Sequence, residues 1–202
     1  FSRTPTSTTY YLYDGWNRIA EYSGQTLQKT YLWGMDLSGT MQGAGGVGGL
    51  LAVKSGNAIH YPTFDGNGNV SEYLAADGAV AAHFEYDPFG NTVVNTDTTN
   101  QFAYRFSTKP QDSTTGLCYY GYRWMDPLTG RWPSRDPIGE SGGVNLYGFV
   151  ENLTTTFVDL VGLSRVLTNF KSGDEKCTVS MYVGHLGMSD KAIGGEGGWN
   201  EA

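Results

Sequence analysis

Positively charged side chains are scarce in this sequence. Its 202 residues include 13 lysines and arginines against 20 aspartates and glutamates, which gives a formal net charge of -7 at pH 7. No run of basic residues stands out in any part of the chain. Because a protein that binds nucleic acid neutralises phosphate groups with lysine and arginine, this composition argues against a nucleic-acid partner.

Cysteine is almost absent as well. Cys118 and Cys177 are the two cysteines of the chain, which is too few for a disulfide framework. No pair of cysteines or histidines has the spacing of a structural zinc site. We therefore predict two buried thiols, whose pairing the sequence leaves open, and we predict neither a metal ion nor a cofactor.

Long apolar runs are missing too. No segment reaches the roughly 18 uninterrupted apolar residues that a membrane-spanning helix needs, and no basic start precedes an apolar stretch as in a secretory signal. The chain begins with Phe1 rather than methionine, so we expect a fragment or a processed product. No membrane span is predicted, and a targeting signal is expected to lie outside this fragment.

Helical periodicity is also nearly absent, whereas glycine and tyrosine are abundant, with 29 and 14 residues. Glycine and aromatic residues favour turns and strands over helices. An Asp-Gly or Asp-Pro-x-Gly step recurs between strand-like flanks in four stretches, at residues 11–19, 64–70, 74–80 and 86–93. The best candidate for a helix is a short turn or helix near residues 146–150.

The four stretches have the chemistry of β-hairpins. Aspartate bonds its own backbone or tolerates the left-handed conformation, and glycine supplies a positive φ. We therefore predict a meandering antiparallel sheet whose turn residues include Asp14, Asp65, Asp77 and Asp87.

A glycine-rich segment, GAGGVG at residues 43–48, matches the fingerprint of dinucleotide-binding folds. Such glycines bind a pyrophosphate only where a helix follows and points its N-terminus at the phosphates. Here the apolar, strand-like run GLLAV follows at residues 49–53. We interpret the segment as a flexible or bulged connection between strands, without a nucleotide.

The character of the chain changes at about residue 102. From there to residue 163, aromatic residues and arginines are densely interleaved, as in a compact block where guanidinium groups pair with carboxylates or aromatic faces. The pattern ends after Leu163. We therefore divide the chain into a β-sheet region at residues 1–101, a compact core at residues 102–163 and a variable C-terminal segment at residues 164–202.

Taken together, these motifs resemble the C-terminal core of bacterial Rhs proteins, also called YD-repeat proteins. The resemblance covers about residues 10–163 and rests on the Tyr-Asp units and on YLWGMDLSG, YYGYRW, GRW, SRDPI and NLYGF at residues 31–39, 119–124, 130–132, 134–138 and 145–149. Relatives of this family include the C subunits of insecticidal Tc toxins and, more distantly, teneurins.

The resemblance implies an all-β fold in which antiparallel YD-repeat hairpins form part of a spiralling shell, closed by a compact core or plug segment. It also implies that a secreted or cell-surface bacterial shell encapsulates and delivers a C-terminal toxin or effector, which the core cuts free. The expected partners are the chain's own C-terminal effector segment as cargo, the upstream shell repeats, and a secretion system or toxin complex.

The family's self-cleavage follows a D-P-x-G-L signature. The corresponding residues here are DLVGL at 159–163, in which Leu160 stands where the family has proline. The resemblance implies that the cut falls between Leu163 and Ser164. We expect a tight turn at Gly162 to fold this bond back toward the carboxylate that begins the signature, so that proximity replaces substrate binding.

The family's catalytic motifs, which resemble an aspartic protease acting once on its own chain, fall on Arg123, Asp136 and Asp159. Two close carboxylates share one proton, so that one serves as general base and the other as general acid. We expect Arg123 to hold one carboxylate bidentately. The residues alone leave a simpler alternative open, in which both aspartates cap turns and Arg123 stacks on Trp124 or Trp132.

A second function also stays open. A YD-repeat module without enzymatic activity would bind carbohydrate or protein through exposed aromatic side chains, as a surface or adhesion domain. Intact masses distinguish the two functions, because only self-cleavage creates a new N-terminus at Ser164.

Overall fold

The computed structural model describes residues 8–163 and, beyond them, the backbone of two strands at Arg165–Lys171 and Thr178–Val183. Ser164 and Cys177 lie outside the described residues. Within these ranges the regular elements are strands and three short 3-10 helices, which confirms the all-β prediction. None of the helices described there is long and apolar enough to cross a membrane.

Eight strands form one antiparallel sheet in which each strand pairs with the next along the chain. They are β1 (Thr9–Asp14), β2 (Asn17–Ser23), β3 (Thr26–Trp33), β4 (Leu50–Ser55), β5 (Ala58–Phe64), β6 (Val70–Ala75), β7 (Val80–Tyr86) and β8 (Thr92–Asn95). Six of the seven strand pairs carry a register shift. Such irregularities bend a strand locally, so the predicted meander forms as an irregular rather than a regular sheet.

The four predicted turn aspartates lie in hairpin turns or directly before them, at Asp14, Asp65, Asp77 and Asp87. In the last three, a carboxylate oxygen accepts backbone N–H groups two or four residues further on. Asp65 Oδ1, for example, accepts the N–H groups of Asn67 and Asn69 at 2.9 Å each. The prediction that these aspartates are turn residues is confirmed.

One face of the sheet packs against the segment that follows it. The Tyr73 ring stacks on Phe102 with centroids 3.9 Å apart, and its hydroxyl donates to the carbonyl oxygen of Tyr104 at 2.8 Å. Phe102 and Tyr104 belong to the same buried cluster as Leu50 and Phe84 of the sheet. The division of the chain at residue 101 therefore separates segments that share a core, and it remains a proposal.

The compact region after this segment has little regular structure. Its short elements are β9 (Cys118–Tyr119), β10 (Trp124–Met125), β11 (Phe157–Asp159) and the 3-10 helices Phe106–Thr108, Gly139–Gly142 and Val150–Asn152. The short turn or helix expected near residues 146–150 is a turn at residues 146–147, where the Gly148 N–H donates to the carbonyl oxygen of Asn145 at 3.1 Å. A second buried cluster, which includes Trp132 and Phe149, holds the region together.

β9 and β10 pair with each other as a second, two-stranded sheet. A third sheet contains β11 and the two strands that follow it, β12 (Arg165–Lys171) and β13 (Thr178–Val183), in antiparallel order. Asp159 pairs with Arg165 across the first hairpin. The bond between residues 163 and 164 therefore belongs to the loop that joins β11 to β12.

Cys118 is buried, as predicted, with 1% of its surface exposed. Burial raises the pKa of its thiol to about 12. Since the thiolate is the reactive form, this cysteine is inert at neutral pH.

The glycine-rich segment at residues 43–48 is followed by a strand, as expected, but it is packed rather than flexible. Ala44 and Val47 are completely buried. Asp36 Oδ2 accepts the N–H groups of Ala44 at 2.7 Å and of Gly46 at 3.1 Å. The predicted connection between strands is confirmed, since the segment lies between β3 and β4, but one buried carboxylate and two apolar side chains fix it rather than leave it flexible.

Candidate active site

Asp159 closes the turn that was expected at Gly162. Only 3% of Asp159 is exposed, and its Oδ1 accepts the N–H groups of Val161 at 3.1 Å, Gly162 at 2.5 Å and Leu163 at 3.3 Å. Gly162 has a φ of +81°, which glycine adopts without strain. Residues 159–163 therefore fold back on the carboxylate that begins the signature, as the sequence predicted.

Arg123 stands between two buried carboxylates. Its Nη2 lies 2.8 Å from Asp136 Oδ2 and 3.8 Å from Asp159 Oδ2, while its Nε donates to the carbonyl oxygen of Gly162 at 2.6 Å. The expected bidentate contact with one carboxylate is therefore wrong. The guanidinium binds both acids through one nitrogen, because its Nε holds the backbone of the turn.

The Arg123 guanidinium lies over the face of the Trp132 ring. The Arg123 Cζ lies 4.2 Å from the Trp132 ring centroid, within the range of a cation–π contact. Trp132 is buried and makes edge-on contacts with Tyr120 and Phe149. Of the two expected stacking partners, Arg123 contacts Trp132. Because Trp132 is itself tightly packed, it fixes the direction in which Arg123 points.

Asp136 and the carbonyl group of Leu163 both lie close to Gly142. Its Oδ1 accepts the N–H of Ile138 at 3.0 Å. A Cβ added to Gly142 would stand 2.6 Å from Asp136 Oδ2 and 3.1 Å from the carbonyl oxygen of Leu163. Both oxygens therefore face the same small space over Gly142, which only a glycine leaves open.

The alternative in which the aspartates cap turns therefore holds for one oxygen of each carboxylate. The Oδ1 atoms of Asp136 and Asp159 both accept backbone N–H groups. Their Oδ2 atoms, however, both face Arg123. Turn capping and ion pairing use different oxygens, so the two descriptions hold together.

Burial changes the acidity of Asp159. Removal from water raises the pKa of Asp159 to about 6, although backbone N–H groups and the Arg123 charge act in the opposite direction. At pH 7 a carboxyl group with such a pKa is protonated in about one molecule in ten, far more often than an ordinary aspartate. Asp159 is therefore the better placed of the two to donate a proton.

A cavity of about 240 Å³ opens beside the two carboxylates and Leu163. This is enough room for several water molecules. One wall is the helical turn Val150–Asn152, whose three residues have φ values between +40° and +61°. Left-handed conformations at non-glycine residues are strained and cluster at functional sites, and no sequence pattern predicts this turn.

Lys109 is a second feature that no sequence pattern predicts. Its Nζ donates to the carbonyl oxygens of Leu160 and Gly45, at 2.7 Å each. It is a single lysine with no motif around it that reveals a role. The Leu160 side chain packs with Ala44 and Val47, so the residue that stands in the place of the family's proline is held on both its backbone and its side chain.

The matched family covers the region that contains most of this site. The teneurin YD-shell family matches residues 45–152. Toxin subunit YenC2 of Yersinia entomophaga is 41% identical over 92 residues, which is 44% of this chain and 9% of that protein. Toxin subunit YenC1 of the same organism is 33% identical over 166 residues, which is 69% of this chain and 17% of that protein.

A solved structure shows the same fold. The crystal structure of TcdB2-TccC3 without its hypervariable C-terminal region superposes with a TM-score of 0.57 and 23% identity, over 80% of this chain and 9% of that one. The chain thus spans less than a fifth of each of these proteins. The resemblance to the Rhs and YD-repeat proteins is confirmed, and the chain belongs to the teneurin YD-shell family.

Proposed function

We propose that this chain is the end of a toxin-delivering YD-shell and that it cuts itself once, between Leu163 and Ser164, to free the segment that follows. The observation that supports the cut is the pairing of Asp136 and Asp159 with one guanidinium nitrogen, with Asp136 Oδ2 and the Leu163 carbonyl oxygen both close to Gly142. Arg123 provides that nitrogen.

The reaction is the hydrolysis of one peptide bond. A water molecule in the cavity gives a proton to the ionised carboxylate as its oxygen bonds to the carbonyl carbon of Leu163. The bond between this carbon and the Ser164 nitrogen then breaks, and the protonated carboxyl group supplies a proton to the leaving amine. The products are a carboxyl group on Leu163 and a free amine on Ser164.

The charges of the site suit a pair that shares one proton. With one proton on the two carboxylates, their single negative charge is balanced by Arg123. The contact of 2.8 Å favours ionised Asp136 as the base, and the raised pKa of Asp159 favours that residue as the acid. Such a pair titrates as a unit, so its acidity belongs to both groups.

The turn supplies the substrate without a binding step. Residues 159–163 are held by three N–H groups on Asp159 Oδ1 and by the Arg123 contact to Gly162. Holding a reacting bond against its catalytic groups lowers the barrier by several kcal/mol in well-oriented intramolecular reactions. The loop between β11 and β12 is therefore both substrate and scaffold.

The wider role rests on the relatives. YenC1 and YenC2 are toxin subunits, and TccC3 is seen together with TcdB2. By this likeness the partners are the segment from residue 164 onward as cargo, the upstream shell repeats and a toxin complex or secretion system, in a secreted or cell-surface bacterial protein. Residues 1–101, 102–163 and 164–202 would then be sheet, core and cargo.

The cut is tested by mass spectrometry of the purified chain. We expect the wild-type protein to give two fragments, the second of which begins at Ser164, because both carboxylates pair with Arg123 in the uncut chain. The Asp136→Asn chain, which has lost the base, is expected to give one full-length mass. A full-length mass for both chains would refute self-cleavage.

A binding module without enzymatic activity is the second candidate. It is favoured by exposed tyrosines on β1, at Tyr10, Tyr11 and Tyr13, and by the cavity of about 600 Å³ that they help to line. Aromatic rings of this kind bind sugars and proteins through their faces. An uncut wild-type chain that binds a glycan array through these residues would support this candidate.

A further inference from the structure

The turn that carries the cut rests on the glycine-rich segment at residues 43–48, although the two are far apart in sequence. Gly45 has a φ of +60°, and a Cβ on it would overlap the carbonyl oxygen of Leu160. The segment itself is fixed, because Asp36 holds the N–H groups of Ala44 and Gly46. A rigid turn of the sheet region thus forms the floor beneath residues 159–163.

Lys109 joins these two pieces of backbone. Its ammonium group is buried and donates to Gly45 and Leu160 at 2.7 Å each, across 64 and 51 residues of sequence. Removing an ammonium group from water is costly unless its hydrogen bonds are replaced. Here the carbonyl oxygens of Gly45 and Leu160 replace water as hydrogen-bond acceptors. The buried ammonium group therefore links the two backbone segments.

The charged groups near Lys109 connect it to the catalytic pair. Asp159 and Asp36 are the carboxylates that act on it, and the Tyr120 ring centroid lies 5.5 Å from its Nζ. Burial nevertheless lowers the pKa of Lys109 to about 8. Its positive charge in turn acts on Asp159 and favours the ionised form of that carboxyl group.

We propose, on the basis of the proposed function, that Lys109 and Gly45 are positioning residues for the self-cleavage, which seat the turn at Leu160 on the folded sheet. Neither touches the reacting bond. Because Gly45 lies between β3 and β4, the floor exists only after these strands have paired. The cut is therefore conditional on folding of the sheet, and an incompletely folded shell keeps its cargo attached.

The test follows cleavage during refolding. The uncut chain is isolated in urea and diluted into buffer, and the fraction with a Ser164 N-terminus is measured over time by mass spectrometry. We expect Lys109→Met to be cut roughly 100-fold more slowly than wild type, the loss typical of a small misplacement of reacting groups. Lys109→Arg, which keeps the charge and several donors, is expected to recover part of the rate.

The chain offers a matched control for each substitution. Lys29 also donates to a backbone carbonyl group, at 2.6 Å from Gln101, but on another part of the sheet, so Lys29→Met is expected to cut at the wild-type rate. Gly56 has a φ of +58°, close to that of Gly45, with open space around it. Gly45→Ala is expected to slow the cut strongly and Gly56→Ala to leave it unchanged, although both strain the backbone.

A pH profile separates positioning from a loss of folding. Without the Lys109 charge the pKa of Asp159 rises further, so the alkaline limb of the cleavage profile moves to higher pH in Lys109→Met. Lys109→Arg is expected to keep the wild-type limb. A variant that only folds less well would lower the cut fraction at every pH without moving the limb.

Failure of the proposed function and failure of this inference give different results. A wild-type chain that refolds and stays uncut refutes the proposed function, and this inference with it. A wild-type chain that is cut, alongside Lys109→Met and Gly45→Ala chains cut at the same rate, refutes the inference alone. If Lys109→Met does not fold by circular dichroism, the Gly45→Ala chain decides by the same criterion.

Discussion

Replacement of Arg123 by methionine is expected to abolish self-cleavage and to lower the free energy of unfolding by about 3–5 kcal/mol. The guanidinium holds Asp136 and Asp159, both of them buried, and the Gly162 carbonyl group. Methionine can still pack on Trp132, but it leaves the carboxylates without a counter-charge. Urea unfolding measures the free energy of unfolding, and mass spectrometry measures the cut.

Arg105 provides the control for this experiment. It too is buried, with its guanidinium 3.4 Å from Asp97 and 4.7 Å from the Phe84 ring centroid. Arg105→Met is therefore expected to destabilise the chain in the same way while the folded fraction still cuts itself. A folded Arg123→Met chain that is cut at the wild-type rate would show that the guanidinium is not required.

The features that sequence predicted best are those that depend on neighbouring residues. Asp65 and Asp87 form their turns with N–H groups two and four residues away, so a short stretch of sequence contains all the partners. The same holds for Asp159, which folds its own turn. The meander of eight strands follows from such turns, since each hairpin places the next strand beside the last.

The features that sequence missed depend on residues far away in the chain. The segment at residues 43–48 is packed because it meets Asp36 and Leu160, and Lys109 has its role only through carbonyl groups 51 and 64 residues away. No local pattern contains this information. The left-handed turn at Val150–Asn152 is similar, because strain at non-glycine residues persists only where the surrounding structure enforces it.

The candidate site lies between these extremes. Arg123, Asp136 and Asp159 were found by resemblance, since nothing in their spacing along the chain requires them to meet. The structure brings them together, but it replaces the expected bidentate contact with a nitrogen shared by two acids. Geometry of this kind depends on the packing of Trp132 beneath the guanidinium, which composition alone does not determine.

Asparagine at position 159 is expected to prevent the cut and to make the folded chain more stable above pH 6. The folded-state pKa of Asp159 is raised from 3.8 to about 6, so the folded chain loses stability as pH rises between these values, when it has to ionise a buried acid. A shift of this size corresponds to about 2–3 kcal/mol. Asparagine keeps an oxygen that can accept the N–H groups of the turn, and it carries no charge to desolvate.

The comparison is best made between two chains that both stay uncut, Asp136→Asn and the double variant Asp136→Asn with Asp159→Asn. Their free energies of unfolding in urea should differ most above pH 6, approach each other between pH 6 and pH 4, and agree below that, where the aspartate is protonated in both the folded and the unfolded state. A difference that does not change with pH would contradict the raised pKa. If Asp159→Asn prevents the cut and also raises the free energy of unfolding, then the chain gives up stability at Asp159 to keep a proton available for the cut.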